Sequence, residues 1–92
     1  MTREHAVSMV TDEMDRAEKK WPGWPTDPVH GAGIVCEESG ELMQAALQYT
    51  YEGATDVAMI REAIHTAATA IRFIQSVGQC SIRPSPRPSE RP

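Results

Sequence analysis

Large aromatic side chains are scarce in this chain: one Phe, two Tyr and two Trp among 92 residues. A chain this short already buries a low fraction of its surface, and with so few rings it can close only a thin core. Cys36 and Cys80 are the two cysteines, without C-x-x-C spacing, which excludes a disulfide-dense scaffold. They read as free thiols in a reducing compartment, and with no secretory leader ahead of them the expected location is the cytoplasm. No apolar run approaches the ~20 residues needed to span a bilayer. Period-two alternation is missing throughout, so no strand is expected. Positive charge is missing from the middle of the chain, where no Lys or Arg occurs between residues 21 and 60.

What is present is acid. Thirteen Asp and Glu oppose nine Lys and Arg, a net charge of −4. The imbalance is steeper in the body, because Arg83, Arg87 and Arg91 lie in the last stretch, Gln79 to Pro92, against Glu90 alone. An acidic body argues against a phosphate-backbone grip on nucleic acid; it suits recruitment of a divalent cation to meet an anionic substrate. The end segment QCSIRPSPRPSERP is too rich in Pro, Ser and Arg to pack. One domain over residues 1–78 and a disordered tail over 79–92 are therefore expected.

Within the body three helical patterns follow one another. Ala6, Val7, Val10, Met14, Ala17 and Trp21 recur at three and four residues, an amphipathic helix from Thr2 to about Lys20. Trp21-Pro-Gly-Trp-Pro-Thr-Asp-Pro then forbids helix and sets a turn-containing loop. A second helix begins near Val29 or His30 and fades around Tyr51 to Gly53. Thr55 or Asp56 can cap a third from about Val57 to Val77, whose main stripe is Val57, Ile60, Ile64, Ala67, Ala68, Ile71 and Ile74. Its other side groups Glu62, His65, Thr69, Arg72 and Phe73, an odd mixture for a face bathed only in water, and is expected to meet the acidic second helix or another subunit. The fold expected is all-α: three main helices in a bundle completed by oligomerisation, as a dimer or a dimer of dimers. Trp21 continues the first stripe and is expected to close the core, while Trp24 is open between core and surface roles.

The second helix carries Glu37, Glu38 and Glu41 in Cys-Glu-Glu-Ser-Gly-Glu-Leu. At about 100° per residue, Glu38 falls in the middle of the stripe of Ile34, Val35, Leu42, Ala45, Ala46 and Tyr49, with Glu41 on its edge and Glu37 just outside. A buried, uncompensated carboxylate costs several kcal/mol, and like charges at i,i+3 and i,i+4 repel by a few tenths each. Either the run is a solvated face, or a metal or a distant cation compensates it. Clustered carboxylates are what hard divalent cations require.

Glu37-Glu38-Ser-Gly-Glu41-Leu42 has the form E-E-x-G-E-L, and twenty-one residues after Glu41 stands Glu62 in Arg61-Glu62-Ala-Ile-His65-Thr-Ala67-Ala68. With the preceding loop and the A-A-x-A-I-R continuation, the stretch from Trp24 through Ile74 resembles the MazG-like branch of the all-α nucleoside triphosphate pyrophosphohydrolases, most closely its small stand-alone and phage-borne members. The resemblance implies Mg²⁺, with Mn²⁺ as the alternative, held by Glu38, Glu41 and Glu62, and Glu37 as the leading acid of the first motif. His65 departs from the pattern, standing where many relatives have Asp. Imidazole suits Mn²⁺, Fe or Zn²⁺ better than Mg²⁺, so His65 is open between metal ligand, substrate contact and interface filler.

Cleavage between the α and β phosphorus atoms needs charge neutralisation, an in-line water and a proton acceptor. Glu37 and Glu38 are the catalytic candidates, with Glu37 as proton acceptor. Lys19, Lys20, Arg61 and Arg72 are the basic residues available for phosphate, and Trp24 and His30 the candidates for base or phosphate contact. The expected partners are a nucleoside triphosphate, a deoxynucleotide before a ribonucleotide, and further copies of the chain, with no membrane. Two rivals remain: a carboxylate-bridged di-iron or di-manganese bundle, because Glu62-x-x-His65 has the Glu-x-x-His step of such sites, and an inactive helical interaction module of the same fold.

Overall fold

A computed structural model describes residues 1–78, which form three helices and no strand. Residues 79–92, the expected tail, lie outside the described residues.

Helix α1 spans Arg3–Lys20, with the Thr2 hydroxyl accepting from the His5 N–H as N-cap, a contact typically worth about 1 kcal/mol. Its last turn carries Lys19 and Lys20, favourable at the negative end of the helix dipole. Helix α2 spans Pro28–Tyr51. It starts a residue earlier than expected because Asp27 caps it, accepting from the Val29 N–H, and Pro28 supplies a preset φ at the first helical position. It stops where Gly53 takes φ +73, letting the Ala54 N–H fold back on the Gln48 carbonyl. Helix α3 spans Asp56–Gly78, directly after Thr55.

α3 is the central element. α2 packs along it, and α1 lies on α3 without packing on α2. The core is thin, as the composition demands. Among the described residues Ala45 and Ala68 are the buried apolar side chains, and Arg72 is buried at 9% exposure.

Two expectations about the core require correction. Trp21 is 61% exposed; Pro22 ends the helix at Lys20, the chain leaves helical geometry at Trp21 (φ −132, ψ 78), and the indole quits the stripe to lie 5.5 Å from Lys20 Nζ. The main stripe of α3 is also only partly used, with Ala68 buried but Val57, Ile71 and Ile74 exposed. The mixed side carrying Glu62, His65, Arg72 and Phe73 is the one that packs, because it meets α2 and the loop before it. No helix among the described residues is long and apolar enough to cross a membrane.

Candidate functional site

Glu62 and His65, three apart, share one face of α3, and α2 brings Glu38 against them. His65 Nδ1 lies 3.6 Å from Glu62 Oε2 and 3.9 Å from Glu38 Oε2. These separations are too long for hydrogen bonds. The Oε2 atoms of both carboxylates are buried and have no hydrogen-bond partner, a state that leaves each side chain partly desolvated without compensation. The three side chains can offer one ligand atom each within 4.8 Å of one another. In an octahedral shell with bonds of about 2.1 Å, neighbouring ligand atoms are about 3.0 Å apart and opposite ones about 4.2 Å. The observed gaps therefore suit a divalent cation after small side-chain adjustments.

Burial raises the Glu38 carboxyl above the ordinary glutamate range, and the negative charges of Glu41 and Glu62 and a hydrogen bond with Glu41 push the same way, against the opposing pull of His65. Such a group is held ionised at modest cost only when a cation joins it.

A fourth carboxylate comes from α1. Glu13 lies 3.2 Å from His65 Nε2 through its Oε1 and receives the Arg16 guanidinium, with Nε donating to Oε2 at 2.6 Å. That hydrogen bond lowers the Glu13 carboxyl, outweighing its desolvation. An acceptor beside Nε2 favours the tautomer with the proton there and leaves the Nδ1 lone pair facing Glu38 and Glu62, the carboxylate–histidine arrangement of metal sites. Sequence reasoning missed Glu13. The signal existed: at 100° per residue it falls between Met9 and Ala6, inside an apolar sector, as Glu38 does on α2.

Beside this trio opens a cleft of about 660 Å³, lined from all three helices and the 21–25 loop. Glu37, exposed, and His30 line it from α2, and Trp24 from the loop. Trp24 is half-buried, with the Arg72 guanidinium 5.1 Å from its ring centroid. Arg72 also donates to the Trp21 and Gly23 carbonyls at 2.7 and 3.2 Å. It therefore holds the loop in place and is not an open phosphate ligand. Gly31 makes this packing possible, since a Cβ there would come within 2.9 Å of Trp24 Nε1 and 3.1 Å of Phe73 Cδ2.

The other expected site residues are not gathered here. Glu41 is exposed and acts on Glu38 from outside the trio. Lys19 and Lys20 lie with Asp12, Asp15 and Arg16 at the end of α1, and Arg61 lines a separate, largely apolar groove of about 810 Å³ between α1 and α3. Arg16, which the sequence reading passed over, does line the cleft.

No protein family, curated protein or solved structure matches this chain.

Proposed function

We propose that the protein is a divalent-metal-dependent hydrolase that converts a nucleoside triphosphate, a deoxynucleotide before a ribonucleotide, to the monophosphate and pyrophosphate. The observation that carries this reading is the pair of buried, unpartnered oxygens of Glu38 and Glu62 near His65 Nδ1, with Glu38 and His65 lining an open cleft and Glu62 just behind them. Glu38 and Glu62 would hold Mg²⁺, and His65 makes Mn²⁺ at least as suitable an ion. When bound, the ion supplies positive charge for the phosphates and a preferred position for water.

The chain's own residues account for the rest. Glu37, exposed on the cleft wall, accepts the proton of the attacking water. Trp24, half-buried in the cleft lining, offers indole surface for a nucleobase, a contact of order 1–3 kcal/mol. His30, at the first turn of α2, is placed for a base or phosphate contact. Lys19, Lys20 and Arg61 are not part of the proposed site. The working form is an oligomer, a dimer or a dimer of dimers, since a protomer with so little buried apolar surface is a marginal unit.

A second reading has its own support. Glu62-x-x-His65 is joined by a second carboxylate, Glu38, and Glu13 beside His65 Nε2 is the outer contact that a transition-metal centre employs. In this reading the site is a carboxylate–histidine redox centre.

Pyrophosphate release from each common dNTP and NTP, with Mg²⁺ or Mn²⁺, tests the proposal. Turnover that disappears in Glu38→Gln and Glu62→Gln supports hydrolysis. Stoichiometric iron with oxidase activity and no pyrophosphate from any nucleotide would replace it with the redox centre.

A further inference from the structure

A polyanion in the cleft needs cationic donors, and the cleft offers few. Among the described residues that line it, Arg16 and Arg72 are the Lys and Arg side chains. Arg72 is spent, being buried with its Nη2 donating to the Trp21 and Gly23 carbonyls. Arg16 stands differently. Its side chain is 57% exposed, while that of its partner Glu13 is only 12% exposed. Both Nε and Nη2 of Arg16 donate to the Glu13 carboxylate, a side-on pairing that uses one edge of the guanidinium plane. A guanidinium carries five N–H donors in a rigid fork. The end-on edge, with one N–H from Nη1 and one from Nη2, therefore lies outside that pairing.

We propose that Arg16 grips the terminal phosphate of the substrate's polyphosphate chain through this end-on edge, and so makes the site select a chain of phosphates over a single one. This role rests on the nucleotide reading above and adds to it the part of the ligand that the protein holds directly. Two parallel N–H groups match two oxygens of one phosphate, and hydrogen bonds from a charged donor to an anion are the strong ones. Glu13 fixes the fork in advance. With Nε and Nη2 pinned, a long and otherwise mobile side chain has less freedom left to lose when the anion arrives.

The same carboxylate sets where the fork sits relative to the trio. Glu13 Oε1 accepts from Arg16 Nη2 and lies 3.2 Å from His65 Nε2, whereas the Glu38 and Glu62 oxygens lie on the Nδ1 side of that ring. Guanidinium and ligand oxygens thus occupy different sides of one imidazole. A ligand that meets both is a chain of phosphates, and orthophosphate meets one or the other. The remaining basic candidates are placed elsewhere, Lys19 and Lys20 toward the end of α1 and Arg61 in the apolar groove.

Isothermal titration of the full chain, loaded with stoichiometric Mn²⁺, with inorganic tripolyphosphate and with orthophosphate tests this role. The wild type is expected to bind tripolyphosphate more tightly than orthophosphate. Arg16→Gln should weaken tripolyphosphate about 10–100-fold, the loss of hydrogen bonds from a charged donor, and leave orthophosphate nearly unchanged. Arg16→Lys keeps the charge without the fork and should fall between, while Lys19→Gln should bind as the wild type does. The Arg16 side chain is exposed, so helical circular dichroism should persist; if Arg16→Gln unfolds, Arg16→Lys decides, with weaker tripolyphosphate binding supporting the role and equal binding overturning it. The role is also overturned by a wild type that binds no tripolyphosphate, by equal binding in Arg16→Gln, by equal losses for both ligands, or by a Lys19→Gln loss as large as that of Arg16→Gln. Failure of the nucleotide reading looks different. If no nucleotide is hydrolysed, or no Mn²⁺ is taken up, the same tripolyphosphate titration of the protein as it stands still supports the role when Arg16→Gln weakens binding and overturns it when binding is unaltered.

Discussion

Replacing Glu38 by Gln is expected to stabilise the metal-free protein and to abolish its stabilisation by metal, so that the ranking of the two proteins reverses when metal is added. The amide keeps the shape of the side chain and removes a charge that is raised in pKa by burial and by the fields of Glu41 and Glu62. One like-charge helical pair contributes a few tenths of a kcal/mol. Relief of partial desolvation adds a similar amount and the lost attraction to His65 subtracts from it, for a net gain of about 0.5–1 kcal/mol. At 4–8 °C per kcal/mol for a domain of this size, the melting midpoint in EDTA should rise by about 2–8 °C. Mn²⁺ at a hundred times its dissociation constant would add about 2.7 kcal/mol to the wild type, or about 10–20 °C, and little to the variant. Scanning calorimetry in EDTA and in Mn²⁺ reads both numbers. Acid sharpens the test. A carboxyl whose folded pKa lies above its unfolded value imposes a penalty at higher pH that is relieved as pH falls through the folded pKa. The EDTA advantage of Glu38→Gln should therefore shrink toward zero as pH falls into the ordinary glutamate range. A variant that melts below wild type in EDTA, with equal Mn²⁺ shifts in the two proteins, would mean that Glu38 is neither an unfavourable charge nor a metal ligand.

Glu13→Gln should weaken Mn²⁺ binding about 10–100-fold in a calorimetric titration, since it removes the carboxylate beside His65 Nε2. The stability that Glu13 contributes through its lowered pKa is present above the ordinary carboxylate range and lost as pH falls through the folded value, so this variant should differ least from wild type in acid. Gly31→Ala should lower the melting midpoint despite a helix-propensity gain of about 1 kcal/mol, because overpacking against Trp24 and Phe73 costs about 1–3 kcal/mol. Gly33→Ala, with open space around its Cβ, should raise the midpoint by the propensity term alone. Arg72→Met should cost about 2 kcal/mol by freeing the Trp21 and Gly23 carbonyls, with a change in Trp24 fluorescence.

Periodicity was enough to find the three helices, because each has a clear apolar recurrence bounded by Pro or Gly punctuation. It was also enough to single out Glu38, since a charge in the middle of an apolar stripe has few inexpensive fates. The packing face of α3 was legible in part: the mixed side with Glu62, His65, Arg72 and Phe73 reads as one that meets the acidic helix or another subunit, and it meets α2, whereas the Ile and Ala stripe reads as the main one. A stripe of Ile and Ala looks like a core in one dimension, but α2 approaches from the side where Phe73 meets Gly31, a contact between residues distant in sequence. Trp21 misled for a local reason: periodicity extended one residue past the point where Pro22 allows it. Glu13 lay hidden because its apolar neighbours Met9 and Ala6 belong to different turns. The roles of Lys19, Lys20 and Arg61 rested on charge alone, which says nothing about the direction in which a helix presents a side chain.

In the proposed site, carboxylates from α2 and α3 share one divalent cation. Isothermal titration of the metal-free protein with Mn²⁺ tests it most directly. Saturable uptake is expected in the wild type, and its loss in both Glu38→Gln and Glu62→Gln. Absence of uptake in the wild type, or uptake undiminished in both variants, would contradict it.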